Sequence, residues 1–490
     1  MDAICLGLAS KRLLTMMTKL NPQLHFNINT PHSIKPGTLP TSITKLQLGD
    51  LFNQQLNKPN MIPSSLVTLK FGRNFNQPLV IDMLPTSITK LRFGESFNQP
   101  IPFGALPSSL LTLSFSYAFI QTIQPRSLPP SLTNLDFNRP RGGTINLTLT
   151  LVMPKFKQPL PLEIGTIPSS VHTLNLPRWY HPVQIHQDYL PASLKHLTIN
   201  YDSVAKQREL GPDALPRTLE TLKLGQSSSV IIITTTTPGS LPDTLVELDV
   251  GVHTSAPIQF DKLPLLRSLT LGQKYRHSVF VGTLGSSLTS LSIKNNHVLE
   301  SFPMSLTSLV LGAEYFAPIN PGALPSSLTT LELGNKFFYS LSNGVLPSSL
   351  RSLSLGSSYF HDTVLPDSLT HLTLSSFEQI TKCLATASTS STQSLDLKVV
   401  QSLQHPSSSS SSCPTHLQHM FRSITYKIKE KTSILLDKRP KDMIQTLIGM
   451  IPKATTYTIH SHQSLDNQPI FHIRTIDNMV PNIICIINNK

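Results

Sequence analysis

The stretch Leu39-Pro40-Thr41-Ser42-Ile43-Thr44-Lys45-Leu46-Gln47-Leu48-Gly49 carries the pattern LPxSLxxLxLG. That pattern returns at Ile62, Leu84, Leu106, Leu128, Ile167, Leu190, Leu215, Leu241, Leu263, Leu284, Phe302, Leu324, Leu346 and Leu365. Fifteen copies in one chain make the repeat the organising unit of the molecule. Proline holds the second position in fourteen of them, Gly285 being the exception, and six of the fourteen intervals between copies are 22 residues. The interval from Leu128 to Ile167 is 39 residues, long enough to hide a degenerate sixteenth unit. Its relic would be Leu147-Thr148-Leu149 followed by Phe156-Lys157-Gln158-Pro159-Leu160.

The spacing predicts a coil. With the residue after the Ser as position 1, apolar side chains stand at positions 1, 4 and 6, as in Leu66, Leu69 and Phe71 or Leu328, Leu331 and Leu333. Positions 4 and 6 are two apart and face one side of a short strand; position 1 turns inward from the preceding corner. Gly72, Gly94, Gly225, Gly312 and Gly334 at position 7, with Asn138 and Asn200 in the same place, predict a backbone that leaves the strand at positive φ. The Pro-x-Ser corner predicts a fixed φ and a hydroxyl that satisfies a corner amide. Stacked coils form one parallel sheet with strands about 4.8 Å apart. The expected fold is a solenoid of 15–16 such coils, with the LxxLxL core of a leucine-rich-repeat turn.

Composition narrows the class. Of 490 residues only 14% are charged, below the roughly 25% of ordinary soluble domains, and 40 prolines outnumber 22 glycines. The low charge argues against charge-driven disorder or a coiled coil, and so many prolines argue against long helices. Cys5, Cys383, Cys413 and Cys485 are scattered singly, which excludes a disulfide scaffold and fits reduced thiols in a cytoplasmic protein, the nucleus being the other expected compartment. No apolar run approaches the roughly 20 residues that span a bilayer, so no membrane partner is expected. The opening residues are apolar first and basic at Lys11 and Arg12, the reverse of a secretory signal.

The repeat resembles the FNIP repeat family, a variant related to leucine-rich repeats. The segments Phe75-Asn76-Gln77-Pro78-Leu79 and Phe97-Asn98-Gln99-Pro100-Ile101 match its naming segment, and Phe52-Asn53-Gln54-Gln55-Leu56, Phe119-Ile120-Gln121-Thr122-Ile123 and Tyr315-Phe316-Ala317-Pro318-Ile319 are weaker versions. The match spans 37–375, with departures around Trp179, Tyr201 and 231–237 where bulges or loops are expected. The resemblance implies a protein-binding solenoid with no catalytic role and no cofactor.

Positions 3 and 5 of each strand are expected to face outward, where solenoids commonly bind partners. Lys45, Lys70, Lys90 and Arg92 fall there in the first three copies and would form a basic patch for an acidic or phosphorylated protein or peptide. Glu247 and Asp249 predict an acidic spot, and Ser268, Thr270, Ser290, Ser292, Ser352 and Ser354 a bland hydroxyl surface. Residues 1–36 read as an N-terminal cap, with Asp2 capping a helix over 3–19. The stretch 2–13 also resembles the last helix of an F-box. That likeness implies an alternative function, a substrate receptor of a cullin-type ubiquitin ligase with a degenerate F-box. The array itself occupies 37–378, a serine-rich linker 379–413, and a small α+β module 414–490. Within the module, strands are expected at 424–428, 455–460, 470–476 and 482–487 and a helix at 440–450.

The net charge is +13. The C-terminal cluster Lys427, Lys429, Lys431, Lys438, Arg439 and Lys441 has a single aromatic neighbour, Tyr426. Nucleic-acid binding wants several stacking rings between its cations, so the cluster reads as a solvated face. Cys413, His416 and His419 offer three ligands where structural zinc wants four, and His460 and His462 alternate along a strand, so no metal is expected. Neither a phosphate-cradling glycine loop nor a nucleophile elbow nor HExxH occurs. The chain reads as a binding protein rather than an enzyme.

Overall fold

The structure is a computed structural model. It describes residues 34–116, 118–137, 164–176, 187–199, 214–224, 241–251, 257–275, 277, 279, 281–296, 299, 302–376 and 378–384, together with strands at 26–28, 208–210, 231–233, 395–401, 421–428, 454–460, 469–474 and 484–489. The helices expected at 3–19 and 440–450, the F-box-like stretch at 2–13 and the relic at 147–160 lie outside the described residues. The chain divides between Leu265 and Leu266 into two compact units.

In the first unit a parallel ladder runs through β1 (Phe26–Ile28), β2 (Lys45–Leu48), β3 (Thr68–Lys70), β4 (Lys90–Arg92), β5 (Thr112–Ser114) and β6 (Asn134–Asp136). It continues through β7 (Thr173–Leu176), β8 (His196–Ile199), β10 (Thr221–Leu224) and β12 (Glu247–Asp249). β6 pairs directly with β7, so the 39-residue interval adds no strand to the ladder. The departures from the repeat become a separate parallel pair, β9 (Arg208–Leu210) with β11 (Ile231–Ile233).

The second unit opens with β13 (Ser268–Leu271), β14 (Ser290–Ile293), β15 (Ser308–Leu311), β16 (Thr330–Leu333), β17 (Ser352–Ser354) and β18 (His371–Leu374), again parallel and in register. All fifteen copies therefore supply a strand at the expected place. After α1 (Glu378–Cys383) the ladder continues through β19 (Leu395–Gln401), β20 (Phe421–Ile428) and β21 (Ala454–His460). It ends in the antiparallel β22 (Pro469–Arg474) and β23 (Ile484–Asn489). The four expected C-terminal strands occur, and β19, within the stretch read as linker, is paired on both sides.

The core follows the repeat. Leu66, Leu69 and Phe71 are at most 1% exposed, and their equivalents in the other copies are buried alike. Two columns of rings run beside them. Phe52, Phe75, Phe97 and Phe119 stack with centroids 6.0–6.1 Å apart, and Phe71, Phe93, Phe115 and Phe137 at 5.3–5.5 Å. Within a coil the two columns touch at 3.9–4.0 Å, as in Phe93 and Phe97. Tyr315, Phe337 and Tyr359 continue the theme in the second unit at 6.4 and 6.2 Å.

Two local expectations are corrected. At thirteen of the fifteen corners the position-1 amide donates to the Pro carbonyl three residues back, as Leu66 does to Pro63 at 3.1 Å, and Leu288 donates in the same way to Gly285. The Ser hydroxyl is therefore not needed by a corner amide. It donates instead to the position-1 carbonyl of the preceding coil: Ser65 to Ile43 (2.7 Å), Ser87 to Leu66 (2.6 Å), Ser109 to Ile88 (2.9 Å) and Ser349 to Leu328 (2.7 Å). Thr218 and Thr244 do the same to Leu194 (2.9 Å) and Leu219 (2.7 Å). The second correction concerns position 7. Gly72, Gly94, Gly312 and Gly334 do not have positive φ. A Cβ on Gly72 would lie 1.9 Å from the Gly49 carbonyl oxygen, and one on Gly94 1.7 Å from that of Gly72. Close approach of neighbouring coils, not handedness, selects glycine at those four positions, whereas Gly251, also at position 7, has the expected positive φ (69°); Gly225 lies outside the described residues. Positive φ occurs three residues before the repeat proline, at Gly104 (76°) and Gly322 (77°) but also at Asn60 (60°), Asp82 (60°) and Arg126 (68°).

Candidate interaction surface

The sheet alternates as strand geometry requires. Leu46, Leu69 and Leu91 are buried, while the residues flanking them on β2, β3 and β4 are half-buried or exposed. Lys45, Lys70, Lys90 and Arg92 thus share the outward face. The register aligns Lys45 with Thr68 and Thr68 with Lys90, and Gln47 with Lys70 and Lys70 with Arg92. Adjacent strands lie about 4.8 Å apart, so the four cations occupy one small area of three neighbouring strands. Lys70 Nζ donates to Gln47 Oε1 at 3.3 Å, which holds it toward β2. Among the described residues no carboxylate is ion-paired to Lys45, Lys90 or Arg92.

The rest of the face differs in charge. Lys195 Nζ reaches Glu220 Oε1 and Lys223 Nζ reaches Glu247 Oε1, each at 2.8 Å. The Lys195 ammonium holds the Glu220 carboxyl below its usual value. Asp249 Oδ1 accepts the Gly251 amide at 2.9 Å. The acidic spot expected at Glu247 and Asp249 is therefore engaged within the molecule. In the second unit Ser268, Ser290, Ser308, Thr330 and Ser352 form one register column, a surface of hydroxyls as expected. Two uncharged residues at the same outward strand positions complete the group: Gln47, which fixes Lys70, and Thr68, which the alignment of lysines on either side leaves at its centre.

The convex segments carry a second ladder. Asn53 Oδ1 accepts the Asn76 amide (2.9 Å) and Asn76 Oδ1 that of Asn98 (2.9 Å). Asn98 Oδ1 likewise accepts that of Ile120 (2.9 Å). The glutamines of the same segments add Gln99 Nε2 to Asn76 Oδ1 at 3.1 Å and Gln121 Nε2 to Asn98 Oδ1 at 3.2 Å. Past β18, Gln379 of α1 is buried and donates to the Gly356 (2.7 Å) and Tyr359 (2.8 Å) carbonyls. Cys383 is buried nearby. Burial pushes its thiol up to about 12, far from the range of a reactive thiolate.

Among the described residues no helix is long and apolar enough to cross a membrane, and no three His, Cys, Asp or Glu side chains gather as metal ligands. Cys413, His416, His419 and His462 lie outside the described residues.

These coils, with inward LxxLxL side chains and an outward parallel sheet, define a leucine-rich-repeat-like β solenoid. The family described as FNIP Repeat matches residues 29–74, 58–96, 75–118, 97–139, 156–202, 295–336 and 318–358, and the chain is an FNIP repeat-containing protein. Among solved structures it is similar to CroV588, described as a novel circular LRR protein, at 25% identity and a TM-score of 0.53. The likeness covers 90% of this chain and 66% of that one, so this chain spans just under two thirds of that protein's length. Comparison with curated proteins returned no match.

Proposed function

We propose that the chain is a non-catalytic, cytoplasmic interaction scaffold that presents its sheet face to a protein or peptide, with acidic or phosphate-bearing segments docking on Lys45, Lys70, Lys90 and Arg92. The observation that carries this reading is the concentration of four cations on three adjacent strands of a rigid sheet, three of them without an ion-pair partner among the described residues. Complementary charge steers encounter and selects partners more than it adds raw affinity. The proposal includes a division into a cap at 1–36, an array at 37–378, a connecting stretch at 379–413 that carries most of α1 and the ladder strand β19, and a C-terminal module at 414–490 whose β20 extends the ladder.

The test is affinity capture followed by mass spectrometry with the full chain and with Lys70, Lys90 and Arg92 jointly changed to Ser. Loss of the main partners from the variant, and weakening of wild-type capture as salt rises, are expected. An unaltered bound set overturns the assignment of the patch. Co-purification of a cullin and its adaptor would instead support the ubiquitin-ligase alternative.

A further inference from the structure

We propose that Lys45, Lys70, Lys90 and Arg92 surround a site for one phosphoryl group, carried on a phosphorylated serine or threonine of the partner, with Thr68 as its floor. The inference rests on the sheet face being the interaction surface and adds what that surface reads.

Thr68 lies in register with Lys45 on one side and Lys90 on the other, each about 4.8 Å away across the ladder. Lys70 follows two residues along the same face of β3, about 6.6 Å away. Gln47 and Arg92 flank Lys70 in register and so stand diagonal to Thr68. A short side chain is thus ringed by four long cationic ones and an amide. Thr68 is only half-buried, and its hydroxyl has no partner among the described residues. Beyond β4 the ring opens onto Thr112 and Ser114, which are short and uncharged.

A hollow with a neutral donor beneath and cations on several sides suits a tetrahedral dianion. A phosphate monoester carries about −1.5 to −2 charges and three strong acceptor oxygens, enough to meet the floor and opposite walls together. A carboxylate has one charge and two coplanar oxygens, and it satisfies one wall at a time. Arg92 can take two of the phosphate oxygens through its planar fork, while the lysines act as point charges. Lys223 on the same face and Lys195 beside β8 do not match this arrangement, because each is committed to a glutamate.

The test is fluorescence anisotropy on the full chain with three labelled peptides of Gly and Ala. One contains a single phosphothreonine, one the unmodified Thr, and one two adjacent Glu residues to match the charge. The phosphopeptide is expected to bind about tenfold or more tighter than the Glu peptide, and inorganic phosphate is expected to displace it. Thr68→Val keeps the shape and every cation; it is expected to weaken phosphopeptide binding about tenfold, the loss of one hydrogen bond to a charged group, and to leave the Glu peptide unchanged. Arg92→Lys should weaken the phosphopeptide selectively. Equal binding of the phosphopeptide and the Glu peptide, or an unlabelled single-stranded oligonucleotide that competes better than phosphopeptide, overturns the phosphoryl site. Equal peptide binding still leaves an acidic-partner surface standing. Binding of neither charged peptide overturns both readings.

Discussion

A methyl group decides how closely two coils can approach. At Gly94 the added Cβ of alanine would sit 1.7 Å from the carbonyl oxygen of Gly72, a backbone atom two residues past β3 that cannot swing aside as a side chain would. Relief requires the coils to part, which also loosens the stacked rings on either side. Gly94→Ala is therefore expected to cost about 3 kcal/mol, the upper end for overpacking, read as a lower urea midpoint at unchanged slope. A midpoint within error of wild type would refute the close-approach explanation. Arg126 presents the opposite case. It holds φ at 68° where the equivalent residues in other copies are Gly104 and Gly322. A left-handed conformation costs a side-chain-bearing residue about 1–2 kcal/mol, part of which glycine returns through its greater freedom in the unfolded chain. Arg126→Gly should stabilise by about 0.5–1 kcal/mol, visible as a rise in the thermal midpoint.

At the scale of the coil, stability passes through contacts about 22 residues apart in sequence, such as Asn98 to Asn76. Asn76 accepts on one side-chain oxygen both the Asn98 amide at 2.9 Å and Gln99 Nε2 at 3.1 Å. Asn76→Ala leaves these donors without that acceptor in a half-buried place and should cost about 1–2 kcal/mol. Asn76→Asp keeps the acceptor and should recover most of that loss. Hydrogen exchange at the Asn98 amide provides the site-specific check; equal exchange in both variants would remove Asn76 from the role of cap. The same ladders explain what was legible in the sequence. Leu, Leu and Phe at positions 1, 4 and 6 set the inward face, so the strands and the outward placement of Lys45, Lys70, Lys90 and Arg92 followed from phase alone. The direction of the Ser87 hydroxyl and the reason for Gly94 did not, because both depend on a carbonyl in the neighbouring coil. Nor was the pairing of β19 to β20 legible, since the repeat fades after 375 and local pattern gives a strand but not its neighbour.

At the scale of the whole molecule, three buried groups among the described residues resist ionisation, Tyr315, Tyr359 and Cys383, all in the unit that begins at Leu266. Burial pushes Tyr315 from 10.0 up to about 12 and Cys383 from 9.0 up to about 12. Tyr359 is also raised, chiefly by burial, against the opposing effects of its hydrogen bonds with Thr363 and the Leu341 amide. Raised values mean that the folded state retains protons which the unfolded chain has already released. The unfolded state then binds fewer protons, so stability falls as pH rises. The contribution is fully present below 9 and is lost between 9 and about 12, the interval from the ordinary thiol value to the raised values. The thermal midpoint of this unit should consequently be flat from neutral pH to 9 and then decline steeply. Cys383→Ala removes the group that begins the decline, so its onset should move toward 10, the ordinary value of the tyrosines. The small cavity it leaves lowers the midpoint equally at every pH and does not imitate that shift. Tyrosinate absorbance gives the independent reading, because Tyr315 and Tyr359 should ionise only as the circular dichroism of the sheet is lost. Smooth ionisation of all ten tyrosines near 10, with the sheet signal intact, would show that these side chains are open to solvent and that the packing around Gln379 and α1 does not close this end of the array.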